Sequence, residues 1–153
     1  MATHHKGSPA EVRALDAFIK LNRALDRMQT ELTRKMNERG LTIPQFGVLE
    51  AVYHLGPSSQ GDLGRKLLRS GANVTTVVDN LEKAALVTRA RSPADRRVVT
   101  VSLTPAGRKL IAAVFPEHAA QIADLMKGLA PVEQEALGAL CKKLGTSITP
   151  AAR

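Results

Sequence analysis

The sequence predicts a mainly α-helical fold with one small β-hairpin, in which two short helices precede the hairpin and longer helices flank this central unit. Apolar residues recur at helical spacing along the flanking segments. Residues 86–91 and 98–103 are short runs rich in Val, Thr and Leu, and a turn-forming Ser-Pro-Ala-Asp-Arg-Arg segment separates them. The 153 residues are enough for one domain with a buried core.

The first helix is predicted over residues 11–38, which corresponds to about 42 Å at 1.5 Å per residue. A helix of this length cannot bury its whole apolar stripe against a small central unit, so we expect a second subunit to cover the remainder. Residues 1–10 and 149–153 carry little pattern and are expected to be mobile. The stripe consists of Val12, Leu15, Phe18, Ile19, Leu21, Leu25, Met28, Leu32 and Met36.

The next two helices have local start signals. Thr42 is a candidate N-cap, with Pro44 in the first turn and Gln45 in the capping-box position, and Gly56-Pro57 ends that helix after about Leu55. Ser59 is expected to cap the following helix, with Asp62 three residues later and an apolar stripe behind it. The stripe is Leu63, Leu67 and Leu68, and the turn that ends it is Arg69-Ser70-Gly71.

The fourth helix, opened by Ser70, is predicted to have one apolar face and one face of small polar residues. A helix that reads DNA needs such a polar face, because its first turns must lie deep in a major groove. An ordinary amphipathic helix with a solvated face would show the same pattern, so this helix alone does not distinguish a DNA-reading helix from a structural one. The apolar face holds Val74, Val77, Val78 and Leu81; the other holds Ala72, Asn73, Thr75, Thr76, Asp79, Asn80 and Lys83.

The hairpin favours the DNA-binding interpretation. Arg89 and Arg91 alternate onto one face of its first strand, and Asp95 and Arg97 are placed to pair across the loop. We expect Asp95 to hold the loop while an arginine at its tip enters a minor groove or touches phosphate. Two helices, a turn and a basic hairpin make a winged helix-turn-helix, flanked here by N- and C-terminal dimerisation helices. The predicted DNA contacts are Arg69, Ser70, Ala72, Asn73, Thr75, Thr76, Arg91, Asp95, Arg96 and Arg97.

Two helices are predicted after the hairpin. Thr104-Pro105 begins the first, and Pro116 should kink or break it. The last runs from near Pro131 to Leu144, with Ala130 as a weak cap and Gly145 as its end. Its inner face is predicted to hold Leu137, Leu140, Cys141 and Leu144, so that Cys141 is a buried, inert thiol.

Several motifs together resemble the MarR family of bacterial transcriptional regulators. They are Leu41-Thr42-x-x-Gln45-Phe46-x-Val48-Leu49, the run of residues 73–86, Asp95-x-Arg97 and Leu103-Thr104-x-x-Gly107. The resemblance covers residues 11–148. It implies a single winged-helix subunit, with a DNA-binding unit over about 41–103 and dimerisation helices over about 11–39 and 104–148. It also implies a homodimer on a pseudo-palindromic operator, usually a repressor, released by a small ligand or by oxidation.

In the resembled family, ligands bind between the DNA-binding unit and the dimer helices. The resemblance therefore implies that Phe18, Phe46 and Tyr53 contact an aromatic or phenolic effector. Core packing would explain the same three aromatic residues. Oxidation sensing of the peroxide type uses a cysteine near the start of the first long helix, and Cys141 is the only cysteine here.

Charge is concentrated in the central unit. The chain has a formal charge of +8, and residues 60–103 hold eight cations and four acids, which suits double-stranded DNA. No residues are predicted to be catalytic or metal-binding, no cofactor is expected, and no apolar run suggests a membrane segment or signal peptide, so a cytoplasmic protein is expected. A winged-helix protein-interaction module that does not read DNA is the alternative.

Overall fold

The structure, a computed structural model, describes residues 4–67, 71–91 and 99–148, with the side chains of residues 71 and 72 left aside. It confirms the predicted fold class, which is mainly helical with a small antiparallel sheet. The chain forms two compact units, Met1–His118 and Ala119–Arg153. The elements in chain order are α1 (Pro9–Glu38), α2 (Ile43–Leu55), β1 (Ser58–Ser59), α3 (Gln60–Lys66), α4 (Gly71–Lys83), β2 (Val87–Arg91), β3 (Val99–Leu103), α5 (Pro105–Met126) and α6 (Pro131–Ser147).

The first helix begins earlier than the apolar pattern predicted. Ser8 caps α1, because its Oγ accepts the Glu11 N–H at 3.3 Å while the Glu11 carboxylate accepts the Ser8 N–H at 2.7 Å. Residues 8–10, which were expected to be mobile with the rest of residues 1–10, therefore belong to the cap and first turn of α1, since a capping box needs no apolar residue. Of the apolar stripe, only Met36 is buried within this chain.

The starts of α2 and α3 are confirmed. The Thr42 hydroxyl accepts the Gln45 backbone N–H, the side-chain Oε1 of Gln45 accepts the Thr42 N–H at 2.8 Å, and Gly56 ends α2 with a φ of 80°. Ser59 caps α3 through the Asp62 N–H at 3.1 Å. Such caps follow from neighbouring residues alone, which is why the sequence predicted them.

The sheet contains a strand that sequence reasoning missed. The strand order is β1-β3-β2, and both pairs are antiparallel. Val101 on the central strand β3 lies between Ser58 of β1 and Arg89 of β2. A two-residue strand shows no alternation, so pairing with β3 is the only sign of it. The predicted hairpin strands agree with β2 and β3 to within a residue at their ends; the loop between them lies outside the described residues.

One continuous core joins the helices of the first unit to the sheet. The buried residues come from α1 to α5 and from both hairpin strands, so the hairpin and α4 pack against one apolar centre. They are Met36, Leu41, Phe46, Val48, Leu49, Ala51, Val52, Leu63, Val74, Val78, Leu81, Val87, Val101, Ile111 and Val114.

The start of α5 is anchored to the corner that follows α4. Thr104 donates its hydroxyl to the Ala85 carbonyl at 2.7 Å, and its Oγ accepts the Gly107 N–H at 3.0 Å. The backbone N–H of Thr104 also donates to the Leu86 carbonyl at 3.1 Å. Gly107 is buried directly against Leu86, and a Cβ at Gly107 would lie 1.9 Å from the Leu86 carbonyl oxygen. The Leu-Thr-x-x-Gly motif is thus a close backbone approach that only glycine permits.

The C-terminal helices differ from prediction in three respects. Helix α5 is not broken at Pro116, and α6 continues through Gly145 to Ser147. Interior glycine costs a helix only about 0.5–1 kcal/mol, so flanking helix formers can carry the helix through it. The predicted inner face of α6 is exposed in this chain: Leu137, Leu140, Cys141 and Leu144 all face solvent. The expected burial of Cys141 within the subunit is therefore wrong, because no third element of the second unit covers that face among its described residues, 119–148.

Candidate nucleic-acid interface and adjoining cavity

Helix α4 separates its apolar and polar residues as the spacing predicted. Val74, Val78 and Leu81 are at most 1% exposed, and Val77 is half-buried. Asn73, Thr75, Thr76 and Asn80 are exposed on the opposite side. An exposed face of hydroxyl and amide groups is what base-edge recognition in a major groove requires. Of the remaining predicted contacts, Arg69, Ser70, Asp95, Arg96, Arg97 and the Ala72 side chain lie outside the described residues.

Arg89 joins the first hairpin strand to α4. Its guanidinium contacts the Asp79 carboxylate at 2.6 Å and donates to Glu82 Oε2 at 2.6 and 3.0 Å, while its backbone N–H donates to Glu82 Oε1 at 3.2 Å. The hydrogen bonds to Glu82 raise the pKa of Arg89, and in return lower the pKa of the Glu82 carboxyl. The cation expected on the strand surface is therefore neutralised by two acids, and its role is to hold hairpin and helix together.

Arg91 lies beyond Arg89 on the same strand and is exposed. It lines a recess of about 270 Å³ with Gln60, Arg89, Ala90 and Val99. The Gln60 amide nitrogen is buried and makes no hydrogen bond in the structure. A guanidinium and an amide N–H beside one recess are donors that suit an anionic oxygen. Sequence reasoning missed Gln60, since only the pairing of β1 with β3 brings the start of α3 to the hairpin.

A second recess, the α1–α2 cavity, lies in the first unit and measures about 550 Å³. Of the three aromatic residues expected at an effector site, only Phe46 lines it. Phe18 is 60% exposed on α1, and Tyr53 packs edge-on against His54 at 5.1 Å with the Arg108 guanidinium 5.6 Å from its ring centre. The lining residues are Leu25, Gln29, Leu32, Thr33, Ile43, Pro44, Phe46, Gly47, Glu50, Leu67 and His118.

His118 is one of the polar residues of this cavity that the sequence did not single out. Its ring centre lies 4.4 Å from that of Phe46, tilted by 53°, and its Nδ1 is buried without a hydrogen-bond partner. Burial lowers the pKa of His118 below its ordinary value of 6.5, and the negative charge of Glu50 opposes this shift only in part. The imidazole is therefore neutral at pH 7 and offers an unused polar atom in a largely apolar cavity.

This lowered pKa predicts a pH-dependent stability. The unfolded chain binds the His118 proton more tightly than the folded chain, so the stability due to neutral His118 is present above pH 6.5 and is lost as the pH falls through the folded pKa. We expect the melting temperature to fall on acidification below pH 6.5 and the fall to be smaller in His118→Phe. Thermal melts between pH 7.5 and 5 test this, and parallel curves for the two proteins would contradict it.

Other kinds of site find no support in the part of the chain that the structure describes. There, no group of three or more His, Cys, Asp and Glu side chains is placed to hold a metal ion. No helix among the described residues is both long enough and apolar enough to cross a membrane.

Comparisons of the sequence and of the structure with known proteins point to the same kind of protein. A model of the MarR family matches residues 39–98. The chain is 35% identical over 133 residues to the HTH-type transcriptional regulator MhqR of Bacillus subtilis, covering 87% of this chain and 92% of that protein. It is similar to Bordetella bronchiseptica BpsR, whose DNA binding is regulated by 6-hydroxynicotinic acid, with 31% identity and a TM-score of 0.77 over 84% of this chain and 98% of that one. It is also similar to MepR of S. aureus in a complex with DNA, with 26% identity and a TM-score of 0.77 over 86% and 98% of the two chains.

Proposed function

Because the chain belongs to the MarR family of DNA-binding transcriptional regulators, we propose that it binds a pseudo-palindromic operator as a homodimer, and that a small aromatic ligand weakens this binding. We further propose that it acts as a repressor, since a dimer bound across a promoter excludes other proteins from it. The observation that carries the proposal is the exposed polar face of α4, held in a fixed relation to the hairpin by Arg89.

In this proposal α4 enters a major groove and the hairpin lies beside it. Its exposed hydroxyl and amide groups contact base edges, and the cations contact phosphate. Asp95 positions the loop. The proposed contacts remain those predicted from the sequence: Arg69, Ser70, Ala72, Asn73, Thr75, Thr76, Arg91, Asp95, Arg96 and Arg97.

The apolar surface of the chain supports a dimer. On α1, Phe18 and Leu25 are 60% and 47% exposed, and on α6, Leu140 and Leu144 are 65% and 52% exposed. Rows of large apolar side chains at helical spacing mark an interaction surface rather than scattered exposure. A twofold partner that covers them would also set the separation of two recognition helices at about one turn of DNA, roughly 10 base pairs.

The α1–α2 cavity supports the proposal that a small ligand binds this protein. Its volume of about 550 Å³ lies in the range of small-molecule sites, and its lining is apolar with a few polar groups. A ligand need only favour a dimer in which the recognition helices have the wrong separation. A coupling of about 1–3 kcal/mol, equivalent to 5- to 150-fold in operator affinity, is enough.

Selection of bound sequences from random duplex DNA tests this function. We expect an inverted repeat and an affinity that falls steeply with salt, because phosphate contacts release counterions. In Thr76→Ala, we expect the preferred base at one position of each half-site to relax by about 1–3 kcal/mol of discrimination, with overall affinity for random DNA unchanged. Thr30→Ala, an exposed threonine on α1, is the matched control.

A chain that binds no duplex at low ionic strength, or that selects no sequence, would refute the proposal and favour the protein-interaction module. If a sequence is selected but Thr76→Ala leaves it unchanged, the assignment of Thr76 is wrong while DNA binding stands. Arg97→Ala should weaken binding to all sequences alike and leave the dimer folded.

A further inference from the structure

We infer that Ala85 is a positioning residue for DNA binding, because its methyl group confines the backbone corner that joins α4 to the hairpin. This role rests on the proposed function, in which α4 enters a major groove and the hairpin lies beside it. Both elements contact one duplex, so the angle between them must match the geometry of the groove. Ala85 lies between them in the chain, after the end of α4 at Lys83 and before β2 begins at Val87.

The backbone of Ala85 has an unusual conformation. Among the residues that the structure describes, Ala85 is the only one other than glycine with a positive φ, which is 54°. It ends α4 in a Schellman motif: the Ala85 N–H donates to the Glu82 carbonyl at 2.9 Å. The following N–H, of Leu86, donates to the Leu81 carbonyl at 2.9 Å. This position of the motif usually holds glycine and sometimes asparagine, because a Cβ disfavours the left-handed region, so alanine carries a steric cost here.

The surroundings of the corner hold Ala85 in this conformation. The Ala85 carbonyl accepts the Thr104 hydroxyl at 2.7 Å, and the Leu86 carbonyl accepts the Thr104 N–H at 3.1 Å. A backbone conformation that is unfavourable for its residue persists where such contacts over-determine it. Ala85 is itself exposed, so burial of its methyl group does not explain why alanine occupies this position.

The methyl group restricts the range of backbone angles at the corner. Glycine reaches the left-handed region without a steric cost and has a wide range of φ and ψ there, whereas alanine has a narrow one. Arg91 lies six residues farther along the chain, up to about 20 Å away, so a rotation of about 5° at the corner would displace it by roughly 2 Å. That displacement exceeds the tolerance of a hydrogen bond to phosphate. Extra freedom at the corner would therefore have to be lost when the protein binds DNA.

The ion pairs of Arg89 restrain the hairpin in a different way. Its guanidinium reaches Asp79 and Glu82 through rotatable and partly exposed side chains, which can follow small displacements of the strand. The corner at Ala85 acts on the backbone itself. The ion pairs thus keep the hairpin attached to α4, while the corner sets the angle between them.

Substitution of Ala85 with glycine tests this role, because it relieves the steric cost and frees the backbone in one change. We expect the melting temperature to rise by about 2 °C. We expect the affinity of the dimer for its selected operator to fall by about tenfold, which is about 1.4 kcal/mol. That loss is about threefold for each of the two corners in a dimer, within the range by which alanine and glycine differ in backbone freedom. A residue with only a structural role would not combine a gain in stability with a loss of affinity.

Two further variants are the matched controls. Ala85→Asn keeps a Cβ, and asparagine tolerates the left-handed region, so the melting temperature should rise while operator affinity stays within about twofold of wild type. Gly40→Ala creates the same steric conflict at the corner between α1 and α2, where φ is 71° and an added Cβ would have no described atom within 4 Å. It should lower the melting temperature by about 2 °C and leave operator affinity within about twofold of wild type.

Hydrogen exchange gives a measurement that does not need DNA. The Arg89 N–H of β2 donates to Glu82 Oε1 of α4 at 3.2 Å, so its protection reports how firmly strand and helix are held together. We expect this amide to exchange faster in Ala85→Gly than in wild type or Ala85→Asn, although Ala85→Gly melts at a higher temperature. Equal protection in all three proteins would overturn the role of Ala85.

The DNA-binding results separate the two levels of the proposal. If wild type binds an operator and Ala85→Gly binds it equally well, or if Ala85→Asn loses as much affinity as Ala85→Gly, the role of Ala85 is refuted and the proposed function stands. If wild type binds no duplex at low ionic strength, the proposed function is refuted, and the role of Ala85 in DNA binding with it.

Discussion

Replacing Gly107 with alanine is expected to lower the free energy of unfolding by about 3 kcal/mol. The added Cβ would lie 1.9 Å from the Leu86 carbonyl oxygen and 2.9 Å from its carbonyl carbon, far inside van der Waals contact. Both atoms belong to the backbone, so the clash cannot be relieved by rotating a side chain, and overpacking of this kind costs about 1–3 kcal/mol or somewhat more. Relief would need α5 to move away from the corner after α4, which would strain the Thr104 hydrogen bonds to Ala85 and Leu86.

Urea denaturation of wild type and Gly107→Ala measures this effect. Gly61→Ala is the matched control, because a Cβ there meets its nearest atoms at 3.7 and 3.8 Å, which is ordinary contact on an exposed helix. The control is expected to be neutral or to gain about 0.5 kcal/mol from helix propensity. If Gly107→Ala is as stable as Gly61→Ala, the close approach of α5 to Leu86 is not a requirement of this fold.

Replacing Arg89 with glutamine is expected to weaken binding to duplex DNA by about tenfold for all sequences alike, as loss of a backbone-positioning contact does. Two effects act together. The hairpin loses its attachment to α4, and the Asp79 and Glu82 carboxylates lose the guanidinium that neutralises them close to the proposed DNA surface. The pKa of Glu82 should return toward its ordinary value as the hydrogen bonds from Arg89 are removed.

The two effects can be separated. Adding Asp79→Asn and Glu82→Gln to Arg89→Gln removes the unpaired negative charges but leaves the hairpin unattached, so only the electrostatic part of the loss should return. Arg34→Gln is the control for net charge, because Arg34 makes exposed ion pairs with Glu31 and Glu38 within α1. A loss in Arg34→Gln as large as in Arg89→Gln would show that the total charge, rather than the contacts of Arg89 with Asp79 and Glu82, determines the affinity for DNA.

The predictions that succeeded rest on interactions between residues close in sequence. The caps at Thr42 and Ser59, the end of α2 at Gly56 and the buried face of α4 each depend on residues within one or two helical turns. Such features follow from residue spacing and local backbone chemistry, both of which can be taken directly from the sequence. The start of α1 follows the same rule, since its capping box is formed by Ser8 and Glu11, three residues apart, and precedes the first apolar residue of the stripe.

The predictions that failed depend on contacts between distant parts of the chain. Burial of Leu140 and Cys141 could not be settled by helical spacing, because spacing states which side chains share a face and not whether anything covers it. The ion pairs of Arg89 with Asp79 and Glu82 form only because the hairpin packs on α4, and strand alternation, which placed Arg89 on one face with Arg91, does not indicate them. All of the DNA contacts assigned from the sequence stay predictions, both those on the described part of α4 and β2 and those at residues 69, 70 and 95–97.

The sequence by itself determined where the helices and the hairpin strands lie and which side of α4 is polar, because capping, propensity and periodicity act over a few residues. Only the tertiary structure decided which polar groups are available for binding. It brought His118 beside Phe46 and Glu50 in one cavity and placed Gln60 by the hairpin. These groups lie far apart along the chain, and their burial and pairing depend on how the elements pack.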